Sequence, residues 1–119
     1  MINKPKRNPA WSKEELILAL DLYFEIGNAS HFSSNNPQII ELSETLNKLR
    51  VHSERPDEIK FRNPNGVSMK LSNFLRFDPN YKGTGLTRGG QLEKVIWDEY
   101  SQDRPKLKKT AENIKKSIT

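Results

Sequence analysis

Apolar residues recur along this chain at intervals of three and four, and most of these stretches open on a residue that starts helices. Leu16, Leu20 and Phe24 line one face of a segment predicted helical over 12–26, with Ile17 and Tyr23 beside them. Ser12 and Glu15 have the spacing of a reciprocal capping box, and Trp11 and Leu16 that of a hydrophobic staple. Gly27 supplies a left-handed stop. A second helix starts at Asn36-Pro37 and carries Ile39, Leu42, Leu46 and Leu49 as a buried stripe. Asn63-Pro64 predicts a third, from about Pro64 to Arg76, with Val67, Leu71, Phe74 and Leu75 facing inward. A fourth spans about 90–101, with Leu92, Val95, Ile96 and Tyr100 as its apolar face and Trp97 adjacent. A last helix, roughly 104–118, has Leu107, Ala111, Ile114 and Ile118 on one side and six basic residues around them.

The intervening stretches read as loops. Residues 28–36 are polar, and 51–61 contain Pro56 with room for one helical turn at 57–60. Residues 78–90, DPNYKGTGLTRGG, are glycine-rich but lack the terminal Gly-Lys-Ser/Thr of a phosphate-binding P-loop. No stretch alternates as strands do, and nothing repeats. The expected fold is mainly α: a compact single domain of four to five helices, loosely helix-turn-helix-like. About twelve residues separate the second and third helices, whereas a tight helix-turn-helix uses three or four. The expected division is a helical head over 1–103 and a basic C-terminal helix, or the start of a linker, over 104–119.

Composition narrows the function. The absence of cysteine excludes disulfides, thiol catalysis and cysteine-ligated zinc, and fits a reducing compartment. No run approaches the roughly 18 apolar residues of a membrane span, and the basic N-terminus has no apolar core, so a cytoplasmic protein is expected. The net charge of +5 is uneven. Residues 1–49 hold five basic and six acidic side chains, whereas residues 50–119 hold fifteen and nine. A basic face attracts phosphate by Coulomb forces and counterion release.

No catalytic constellation is legible. His31 and His52 stand in loops without a metal-ligand partner at helical spacing, and no glycine-flanked serine forms a nucleophile elbow. Glu14 and Glu15 suit the first turn of a helix, and Asp57-Glu58 reads as a loop pair. Neither catalytic residues, metal ligands nor a cofactor is therefore expected. The third helix is the stronger candidate. Opposite its apolar side it carries Asn65, Ser68, Ser72 and Arg76, with Arg62 at its start and Lys70 on its flank. Asparagine pairs with adenine edges, serine with phosphates or bases, and arginine with guanine or phosphate. Lys82 and Arg88, in the glycine-rich loop, complete the candidate DNA-binding set, and Tyr81 is the aromatic of that loop. Gly66 in the first turn suits the close approach of a phosphate or of another part of the chain. A polar surface helix has the same outline.

Four stretches carry a family resemblance: RNPAWSKEELILALDLYF, LNKLRVHSERPD, FRNPNGVSMKLSNFLRFDP and GTGLTRGGQLEKVIWDEY. Together they resemble the N-terminal head of McrA-type, modification-dependent HNH restriction endonucleases over roughly residues 7–112. In that family the head precedes a reader of modified DNA and a C-terminal HNH nuclease. The paired histidines and zinc-binding cysteines of such a nuclease are not in this sequence. The resemblance implies a non-catalytic, defence-related module acting on double-stranded DNA, plain or modified, beside reader and nuclease domains and away from membranes. The alternative is a protein–protein or self-association head that positions those domains, with a homodimer as one form.

Overall fold

In the computed structural model the first helix begins as its capping chemistry dictates. The Ser12 hydroxyl accepts the Glu15 amide at 3.2 Å, and the Glu15 carboxylate accepts the Ser12 amide at 2.8 Å. This cap opens α1 (Lys13–Ile26), which Gly27 closes at φ 68° with its N–H on the Tyr23 carbonyl. The structure describes residues 8–49, 52, 55, 59–81 and 90–118. Four further helices follow: α2 (Pro37–Lys48), α3 (Pro64–Asn73), α4 (Gln91–Tyr100) and α5 (Arg104–Lys116). Among the described residues there is no strand, so the fold is mainly α, and none of these helices is long and apolar enough to cross a membrane.

α1 is the axis of the domain, and the other four helices all pack against it. Nine consecutive residues, Glu15 to Tyr23, are buried. The expected Leu16–Leu20 face is therefore one of several, as befits a helix enclosed by neighbours on all sides. α2 opens on Asn36 and Pro37 as expected and buries Ile39, Leu42 and Leu46, with Leu49 just after its end. Burying side chains of that size contributes about 1.5–3 kcal/mol each. Val67 and Leu71 seat α3 in the same core, with Phe74 just after its end, and α5 docks on α1 through Leu107 and Ala111.

Three local expectations are revised. A short 3-10 turn, Ala29–His31, interrupts the predicted loop, opened by the Asn28 side chain on the Ser30 amide. The third helix leaves α geometry at Asn73 and tightens into a 3-10 turn, Phe74–Phe77. The Ser72 hydroxyl donates back to the Ser68 carbonyl at 3.1 Å, a bond that competes with the regular ladder just there. The third revision concerns α4, whose inward face is rotated from the predicted one. Leu92 and Val95 are 38% and 53% exposed, while Glu93, Ile96, Trp97 and Tyr100 point inward. On this face Ile96, Trp97 and Tyr100 enter the core, and Glu93 is buried against two cations of the α3 segment, Lys70 and Arg76.

Candidate nucleic-acid interface

The candidate residues cluster on and around α3, so the site begins there. Asn63 caps the helix by accepting the Gly66 amide at 2.8 Å. A Cβ at Gly66 would lie 3.2 Å from that same Asn63 oxygen, so the close approach that glycine permits is to the protein's own cap. Asn65 is exposed on the first turn, and Met69 is 63% exposed one turn later. Ser68 donates its hydroxyl to the Phe32 carbonyl and Ser72 to the Ser68 carbonyl, so both spend their proton inside the domain.

Arg62, which precedes α3, is a structural cation. It sits in the left-handed region at φ 47°, a conformation that costs a non-glycine residue roughly 1–2 kcal/mol. Its partners over-determine that position. The guanidinium Nε donates to Glu15 Oε2 at 2.6 Å and Nη2 to Glu15 Oε1 at 3.1 Å, a bidentate pair. Nη2 also reaches the carbonyls of Pro9 and Ala10, at 2.9 and 3.3 Å. From α2, the Ser43 hydroxyl holds the Arg62 carbonyl at 2.7 Å. His52 adds a contact of 2.7 Å to Glu15 Oε1. Burial alone would raise the Glu15 pKa, but the hydrogen bonds from Arg62, Ser12 and His52 outweigh it and hold the carboxyl below its ordinary value.

Lys70 and Arg76 share a second buried carboxylate. Lys70 Nζ lies 2.6 Å from Glu93 Oε1, and Arg76 Nη2 lies 3.1 Å from Glu93 Oε2 and 3.3 Å from the Gly90 carbonyl. Trp11 sits between the two ion-pair systems, with Arg62 and Lys70 at 5.0 and 5.4 Å from its ring centroid. The side chains of Arg62, Lys70 and Arg76 are 4%, 18% and 15% exposed, which leaves them little surface to offer a phosphate. Lys82 and Arg88 lie outside the described residues. The sequence reading missed Glu93 and saw Glu15 only as a cap. Both are the third residue of a helix, a position that favours acids, and that was the available signal.

Among the described residues, exposed positive charge is concentrated on α5. The thirteen residues of α5 contain six basic side chains and one acidic, net +5, equal to the charge of the whole chain. The other 106 residues hold fourteen of each sign and sum to zero. Lys108 lies 3.0 Å from Glu25 and Lys106 3.9 Å from Glu99, but these pairs are solvent-exposed and weak. Lys109, Lys115 and Lys116 are exposed, and the Arg104 guanidinium carbon lies 3.4 Å from the Phe24 ring centroid.

No three acidic, histidine or cysteine side chains converge into a metal-binding group among the described residues. No family model, curated protein or solved structure matches this chain.

Proposed function

We propose that the chain is a non-catalytic DNA-binding module, of the kind that heads modification-dependent HNH restriction endonucleases, and that it holds the duplex backbone with the outer face of α5. The supporting observation is the distribution of charge: α5 carries the full +5, while the cations around α3 are ion-paired and largely buried inside the domain. A docked helix with exposed lysines is a rigid row of phosphate contacts. α3 contributes the exposed Asn65 rather than charge. A cysteine-free chain suits the reducing cytoplasm, where incoming DNA would be met.

Fluorescence anisotropy of the whole chain on a labelled duplex, plain or cytosine-methylated, tests this. Four phosphate contacts give a slope of about −3.6 in log K against log salt concentration. Absence of binding to any duplex at about 50 mM salt refutes it, since non-specific affinity is strongest at low salt.

A second reading, a self-association head, draws on a different observation: Leu92 and Val95, one turn apart on α4, are apolar and exposed. Light scattering after gel filtration decides it. A dimer that Val95→Asp dissociates supports this reading, and a monomer at all concentrations removes it.

A further inference from the structure

One concave feature is not accounted for by the phosphate contacts. A cleft of about 470 Å³ opens where the end of α1, the Ala29–His31 turn, the segment after α3 and the first residue of α5 meet. That volume is within the range of small-molecule sites, roughly 300–1,000 Å³. Its walls are aromatic: Tyr23, Phe24, Phe32 and Tyr81 all line it. Tyr23 is buried, with its hydroxyl donating to Asp78 at 2.6 Å, and its ring packs on Phe24 and Phe32 with centroids 5.2 and 5.3 Å apart. The other Asp78 carboxylate oxygen accepts the Asn80 amide at 2.8 Å, so this acid is satisfied internally. Tyr81 differs from the other three, because its ring makes no aromatic contact among the described residues.

Arg104 stands at the rim. Its guanidinium carbon lies over the Phe24 ring, and it makes no hydrogen bond or ion pair among the described residues. Its N–H donors, bonded to no described residue, form the planar fork that grips a phosphate in bidentate fashion. The same cleft therefore offers a flat ring surface and a positioned anion-binding edge, with the Asn80 side chain beside them. A ring that carries a phosphate matches both.

We propose that this cleft binds a nucleotide, its base against Tyr81 and Phe32 and its phosphate on Arg104. The inference rests on the DNA-binding reading for its preferred source, an unpaired base in a DNA strand whose backbone runs on along α5. A base held in an intact duplex is stacked on both sides and cannot present its face to an aromatic wall, whereas an unpaired one can.

The test uses the whole chain and three probes: a fully paired duplex, the same duplex with one unpaired thymidine, and free thymidine monophosphate. Base–aromatic stacking is worth about a five- to 150-fold change in affinity. The unpaired base should tighten binding by at least about fivefold, and Tyr81→Ala, at a half-buried ring of the cleft wall, should abolish that preference while leaving the paired duplex bound as before. Arg104→Ala should weaken all three probes. Equal binding of paired and unpaired duplexes, unaltered by Tyr81→Ala, overturns the cleft and leaves the DNA-binding reading standing. If thymidine monophosphate shifts the amide resonances of Gly27, Ala29 and Asn80 while no DNA binds, the cleft is a site for a free nucleotide and the DNA-binding reading falls. If neither DNA nor thymidine monophosphate binds, both fall.

Discussion

Replacing Arg62 by alanine should destabilise the domain more than any surface substitution. The change removes both hydrogen bonds to Glu15, whose side chain is 0% exposed, and leaves that carboxylate with the Ser12 amide and His52. Breaking a buried pair from one side costs about 3–5 kcal/mol, because the surviving charge stays desolvated. The lost stacking over Phe61, 4.4 Å away, adds about 0.5–1 kcal/mol. The carbonyls of Pro9 and Ala10 lie near the surface and exchange their donor for water at little cost. The left-handed backbone strain remains, since alanine is no easier there. About 4 kcal/mol is a large part of the roughly 5–15 kcal/mol that holds such a domain together. At this chain length it should lower Tm by about 10–25 °C. Glu15 is held below its ordinary pKa in the folded state, so it stabilises the native protein above about pH 4.5 and loses that contribution as the pH falls through the folded value. Without Arg62, burial dominates and raises the carboxyl, so the variant should gain stability on mild acidification where the parent does not. Thermal melts by circular dichroism at several pH values measure both effects. Adding Glu15→Gln to the variant should recover much of the loss by discharging the orphaned acid. A melting point within about 3 °C of the parent, or no recovery in the double variant, would refute the clamp.

Other outcomes follow from the same contacts. Asp21 is buried on α1 and its pKa is raised, chiefly by desolvation and then by Glu25, with Lys108 and Lys115 offsetting only part. Its ionisation therefore opposes folding as pH climbs above about 3.8, so Asp21→Asn should raise Tm by a few degrees at pH 7, a gain absent below pH 3.8. Ser12→Ala removes the cap acceptor and should cost about 1 kcal/mol in urea unfolding, and no loss would mean that α1 starts by packing alone. Gly66→Ala sets a helix-propensity gain of about 1 kcal/mol against crowding of the Asn63 oxygen, so stability should hardly move and DNA affinity should not change. A selective loss of DNA binding would return the phosphate contact to α3. Lys109→Ala should lower the salt slope of duplex binding by about one, whatever the sequence of the duplex.

What could be read from the sequence was the chemistry of neighbours. Ser12 with Glu15, Asn36 with Pro37 and Asn63 with Pro64 are signals contained within four residues, and each marks a helix start in the fold. The rotation of α4 was not legible, because the alternatives Leu92 and Val95 against Glu93 and Trp97 differ by a partner and not by a period. Those partners, Lys70 and Arg76, are 23 and 17 residues away. The same holds for Arg62, which looks like a surface cation until Glu15, 47 residues earlier, is placed beside it. The aromatic cleft was equally hidden, since its walls come from the end of α1, the 3-10 turns and α5, and no local pattern joins them.

The placement of the two tryptophans gives this domain a pair of built-in optical reporters. Trp97 lies among the rings of Tyr23, Phe24, Phe74 and Phe77, so its near-ultraviolet dichroism and blue-shifted emission will follow the packed interior. Through Phe24 that signal reaches the wall of the cleft, where a bound ring would perturb it without any label. Trp11, wedged between Arg62 and Lys70, instead senses the electric field of two cations. Replacing either indole with phenylalanine would separate the two emissions, and one titration could then distinguish an opening of the charged clamp from an occupant in the aromatic cleft.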